Sequence, residues 1–198
     1  MKAAIRSGLL ALAAASLPAV AHAHTGVGDA GGLVHGFMHP IGGVDHVLAM
    51  VAVGLFASIL GGRALWLVPA SFVVMMAVGG LLGMQGVAVP FVEIGIAASV
   101  VVLGLAVALR WNPPTAAAMG VVSLFAIFHG HAHGAEMPLD ASGLQYALGF
   151  MAATALLHIA GIGAGLAIGR VGANSATAMR FGGSAMALAG VGLLSGYL

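Results

Sequence analysis

The chain has 198 residues, of which 61% are hydrophobic and only 6% charged, with a formal net charge of +1. A soluble domain keeps its surface wet with about a quarter of its residues charged, so this composition excludes one and fits lipid as the solvent. No basic run is present, which argues against nucleic acid as a partner, and the absence of cysteine removes disulfides, thiolate metal sites and cysteine nucleophiles together.

The N-terminus reads as a targeting segment. Lys2 and Arg6 form a positive start, Ser7 to Val20 is an apolar run too short for a comfortable span, and Ala21-His22-Ala23 matches a small-x-small cleavage pattern. The expectation is a signal peptide over residues 1–23, cleavage after Ala23, and His24 as the mature N-terminus of a single transmembrane domain over 24–198.

Six apolar stretches follow: Ile41–Leu60, Ala64–Met84, Val89–Leu109, Thr115–Phe128, Leu144–Ile168 and Thr177–Tyr197. Each approaches the ~20 residues that a helix needs to cross a bilayer core, the fourth being shortest. The predicted fold class is therefore all-α, a polytopic membrane protein with six transmembrane helices. Pro40 fits a first helical turn, and Pro113 and Pro114 precede the fourth helix. The 32 glycines suit close helix packing, for instance Gly79 with Gly83, and a stripe of Gly161, Gly165 and Gly169. Met75, Met76 and Met151 read as packing residues rather than a copper(I) path.

Charge orients the bundle. Arg63, Arg110, Arg170 and Arg180 fall on one side, while Asp29, Glu136 and Asp140 fall on the other. The positive-inside rule makes the arginine side cytoplasmic, placing both mature termini outside, in agreement with the signal peptide.

Histidines and carboxylates collect on the outer side in two clusters. In the first, His39 and His46 are seven residues apart, which one continuous helix would align, and Asp45 adjoins His46. Asp45 either ligates a metal or fixes the His46 tautomer; the plainer alternative is a capping aspartate beside a buried, hydrogen-bonded histidine. In the second, His129, His133 and Glu136 stand at i, i+4 and i+7, one stripe if the helix continues, whereas Gly130 and Gly134 argue that it unwinds. A solvated histidine-rich loop is the alternative there. Imidazole and carboxylate donors together suit nickel, cobalt, zinc or copper(II). His131 lies in the same run, His158 deep in the fifth stretch and Glu93 near the start of the third; each is a weaker metal candidate, as is His24 through its terminal amine. His35 reads as loop. No phosphate-binding Gly-x-x-x-x-Gly-Lys-Ser/Thr loop is present, so any transport would run on the membrane potential or an ion gradient.

His39-x5-Asp45-His46 followed by Phe128-His129-Gly-x-Ala-His133-Gly-x-Glu136 resembles the HupE/UreJ family, and the likeness extends over the whole chain. The resemblance implies a nickel or cobalt permease serving hydrogenases and ureases, with His39, Asp45, His46, His129, His133 and Glu136 as its functional set. His131 occupies a position that the pattern leaves free. The expectation is thus a bacterial inner-membrane carrier, not an enzyme, that moves a divalent metal from periplasm to cytoplasm and binds no permanent cofactor. Its partners would be the metal ion and the bilayer, with a homo-oligomer left open. Two alternatives remain at this point: an intramembrane zinc hydrolase, since three histidines and a carboxylate can activate water, and a metal-binding accessory protein that does not transport.

Overall fold

In lipid every backbone N–H and C=O needs an internal partner, and an apolar run meets that demand by coiling into a helix. The computed structural model describes residues 32–137, 143–170 and 172–196, and among these it contains helices and no strand. They are α1 (Gly32–Gly42), α2 (Val44–Leu60), α3 (Ala64–Met84), α4 (Val92–Ala108), α5 (Thr115–Ala135), α6 (Gly143–Gly169) and α7 (Ser175–Leu194), with a short 3-10 turn, Gly172–Asn174, leading into α7. The expected signal peptide and its cleavage site, His24, Asp29 and Asp140 lie outside the described residues.

The protein is a multi-pass membrane protein. α3, α5, α6 and α7 are each long and apolar enough to cross a bilayer, α1 and α2 pass the same test when joined, and α4 is apolar but shorter at 17 residues. Large apolar side chains cover the exterior: Trp66, Phe91, Leu109, Phe181 and Leu188 are all exposed. A water-soluble surface would not carry so many. The interior centres on α2, where Met50, Val53 and Phe56 are fully buried against Val68 and Phe72 of α3, Leu103 and Val107 of α4 and Val122 of α5.

Several expectations are corrected. The first apolar stretch is not one helix: α1 and α2 meet at Gly43, whose backbone is extended (φ −98°, ψ 119°), and they bend by 83°. His39 and His46 therefore do not share a face of a continuous helix, His35 is helical rather than loop, and Pro40 is buried near the end of α1 rather than in a first turn. The fourth stretch extends past Phe128 to Ala135, so Gly130 and Gly134 do not unwind it. Gly169 meets no neighbouring atom and does not belong to the packing stripe that holds Gly161 and Gly165.

The glycines of the second histidine cluster have a packing role. A Cβ at Gly130 would strike the Met76 carbonyl of α3, and one at Gly134 the Gly80 carbonyl. From the other side, Gly79 faces the Ile127 backbone and Gly83 faces His131. α3 and α5 thus touch backbone to backbone, as small residues permit. Gly54 and Gly161 bring α2 onto α6, and Gly36 and Gly149 do the same for α1 and α6. These seams set the positions of α1, α2, α5 and α6, the helices that carry the histidines.

Candidate metal centre

α2 starts at the site: Asp45 lies in its first turn and His46 beside it, whereas Arg63 follows its far end. α5 runs the opposite way, from Pro114 near Arg110 up to His133 in its last turn. The Gly43 break lets α1 lie across this end and bring His39 over the same spot. A Cβ on Gly43 would come within 2.7 Å of Asp45 Oδ1 and 3.1 Å of His46 Nδ1, so glycine leaves room for that side-chain pair.

The two clusters, more than 80 residues apart in sequence, form one group of rings. The His39 and His133 centroids are 4.7 Å apart, His133 and His46 4.3 Å, and His46 and His129 4.6 Å. Glu136 Oε2 lies 3.4 Å from His39 Nε2. One ligand atom each from His39, His133 and Glu136 fall within 4.8 Å of one another, close enough to hold a single ion.

Protein partners orient part of this set. His46 donates from Nδ1 to Asp45 Oδ1 at 2.9 Å, and its backbone N–H donates to the same oxygen at 2.8 Å. A carboxylate can only accept here, so in the neutral ring the proton sits on Nδ1 and Nε2 keeps its lone pair. His129 Nε2 lies 2.8 Å from Ser99 Oγ. His46 Nε2, His129 Nδ1 and both nitrogens of His133 are buried without a hydrogen-bond partner. Buried polar atoms are nearly always satisfied, and a neutral imidazole keeps a lone pair on one nitrogen, so His46, His129 and His133 each hold one buried donor that a soft or borderline cation would satisfy. Asp45 and Glu136 add negative charge, while Arg63, Arg110 and Arg170 follow the helix ends remote from them.

The remaining candidates separate. His131 turns aside and donates from Nε2 to the Val87 carbonyl at 2.7 Å. Glu93 is exposed in the first turn of α4. His158 is buried on α6 with neither nitrogen partnered, and Phe72 stands between it and the cluster, its ring 5.7 Å from His129 and 5.2 Å from His158. The rings thus form an unbroken file from His39 through His133, His46, His129 and Phe72 to His158.

Sequence reasoning missed Phe72, Ser99, Tyr146 and Phe150. Phe150 packs 4.0 Å from His133, and Tyr146 lies 5.9 Å from His39. Ser99 was the legible one: a serine in an apolar run needs a partner, and a histidine across the bundle supplies it. A mostly apolar cavity of about 190 Å³ adjoins His133 between α3, α5 and α6, lined by Met76, Met84, Met137 and Met151 among others. His133 is the only imidazole in its wall, so the cavity is not the ligand set.

Comparison with known proteins places the chain in a family. The model of the family described as HupE / UreJ protein matches residues 10–193. Protein HupE of Rhizobium leguminosarum bv. viciae is 51% identical over 185 residues, covering 93% of this chain and 95% of the relative. No solved structure matches.

Proposed function

This chain belongs to the HupE/UreJ family, and from that premise we propose that it is a carrier moving nickel or cobalt into the cell across the bacterial inner membrane. The observation that carries this reading is the ring group itself: four histidines from three helices, with four buried nitrogens that no protein group partners, between two carboxylates in a bundle otherwise nearly free of charge. A buried group of this kind is costly unless it has a job, and a divalent cation satisfies its nitrogens and offsets its carboxylates at once. In this reading the six hydrophobic units, α1–α2 counted as one, all cross the membrane. The histidine end faces the periplasm, the arginine end faces the cytoplasm, and the segment up to Ala23 is removed.

The path follows the ring file. His39, Glu136 and His133 capture the hydrated ion and strip part of its water. His46 and His129 take it next, with His133, whose ring adjoins both His39 and His46, able to serve either station through whichever nitrogen keeps its lone pair. Phe72 separates this chamber from His158, the next donor toward the middle of the bundle. A transport site must bind firmly enough to select and loosely enough to release, which a chain of small ligand sets achieves better than one closed cage. The membrane potential drives a divalent ion inward by about 4.6 kcal/mol per 100 mV, twice the single-charge value.

The test is uptake by the purified full-length protein in metal-free vesicles, with labelled nickel and cobalt outside and an inside-negative potential. The wild type should load the vesicles, and His133→Ala at equal protein content should not. Wild-type loading no greater than that of empty vesicles would overturn the proposal.

A further inference from the structure

Ser99 lies on α4, outside both histidine motifs, fully buried and 30 residues from His129. Its hydroxyl oxygen makes two short contacts, 2.6 Å to the Ile96 carbonyl oxygen and 2.8 Å to His129 Nε2. Only one arrangement of protons satisfies both. Two oxygens at 2.6 Å need a hydrogen between them, and a carbonyl carries none, so the Ser99 proton points at Ile96. Ser99 Oγ then has only lone pairs left for the imidazole, and His129 must be the donor. The ring therefore carries its proton on Nε2 and holds Nδ1 as a bare lone pair. Nδ1 is also the nitrogen that is buried with no protein partner, on the ring whose centroid is 4.6 Å from that of His46.

We infer that Ser99 is a positioning residue of the metal path: it locks His129 in the Nε2–H tautomer, so that Nδ1 keeps its lone pair as a ready-made ligand on the ring beside His46. This deepens the transport reading and rests on it. The two rings are set from opposite sides by different chemistry. Asp45, a carboxylate at the helix start, fixes His46 with Nε2 free; Ser99, a hydroxyl deep in a neighbouring helix, fixes His129 with Nδ1 free. A neutral hydroxyl serves at the deeper position because a second carboxylate there would add an uncompensated charge to a buried site. An imidazole held by a partner through one nitrogen is the usual way proteins aim the other at a metal.

The experiment is nitrogen NMR of the histidine-labelled full-length protein in lipid discs, free of metal, with the His129 signals identified by their loss in His129→Gln. The wild type should show a protonated Nε2 and a bare Nδ1 at His129. Ser99→Ala should release the ring into a mixture of tautomers and weaken equilibrium nickel binding on the order of tenfold, the lower end of what loss of an outer partner costs. Ser99→Thr, which keeps the hydroxyl, should preserve both tautomer and affinity. A proton on Nδ1 in the wild type overturns the inference, with no need for any variant to fold. It is also overturned if Ser99→Ala binds nickel as tightly as the wild type, whatever its tautomer. Failure of the transport reading is a separate outcome: the wild type would then fail to load vesicles, while the metal-free spectrum still reports the tautomer.

Discussion

The two stations of the histidine cluster share His133 yet are built differently. At the mouth, the side chains of His39 and Glu136 are 31% and 60% exposed, and their contact is a loose 3.4 Å. One turn inward, His46, His129 and His133 are buried, and two of the three rings are tied to a partner on one nitrogen. The mouth thus offers an oxygen ligand in contact with water, suited to an ion that still holds its hydration shell. The chamber offers nitrogen ligands alone, held rigidly and shielded, suited to an ion that has lost that shell. Hard oxygen ligands discriminate poorly among divalent metals, whereas imidazole favours the later transition metals. On this account the mouth governs capture and the chamber governs choice.

The largest effect should come from breaking the residue common to both. His133→Ala should lower uptake by more than the roughly 10–100-fold seen when only an outer partner is lost. The double variant His46→Ala with His133→Ala should cost little more than His133→Ala alone, because residues acting as a unit are not additive. Multiplicative losses in the vesicle assay would instead divide the cluster into independent sites.

Next comes the seam beneath the chamber. Gly130→Ala places a methyl group against the Met76 carbonyl and should push α5 from α3. Overpacking of this kind costs about 1–3 kcal/mol, so the thermal midpoint should fall together with metal affinity. Asp45→Asn tests the chamber without disturbing the seam. The Asn amide is able to turn a donor toward His46 Nδ1, so the tautomer is no longer enforced, and nickel affinity should drop by about tenfold or more at unchanged thermal stability. An unchanged affinity would return Asp45 to a capping role.

How much of this was legible follows from the same contrast. The chamber's donors were readable because histidines and carboxylates in apolar helices are rare and costly, and their offsets of four and seven match the helical stripe that α5 forms. The break between α1 and α2 was missed. Gly42-Gly43 carries a turn signal but no angle, and the 83° bend goes with α1 packing on α6 through Gly36 and Gly149. The glycines of the second motif misled for a related reason. Gly130 and Gly134 looked like helix breakers, but their cost within a helix is offset by backbone contact with α3, a partner some fifty residues away and invisible in the local pattern. Ser99 and Phe72 act across helices and left only a faint local trace.

Acidity separates the stations more gently. A metal-bound imidazole must be neutral, and free histidine titrates near ~6.5, so protons compete with the ion for the same nitrogens. Equilibrium nickel binding should therefore weaken as the medium is acidified and recover on return. The smallest expected effect is that of Gly43→Ala, whose methyl group would crowd Asp45 Oδ1 and His46 Nδ1. A loss of a few-fold in affinity, without loss of protein from the membrane, would place the bend in service of that pair.

The most direct test of the central claim is X-ray absorption of the purified full-length protein loaded with one equivalent of nickel. The account predicts a shell of nitrogen and oxygen neighbours with the outer-ring scattering of more than one imidazole, reduced in His46→Ala and again in His133→Ala. A spectrum of water and carboxylate oxygens alone, identical in wild type and both variants, would contradict it.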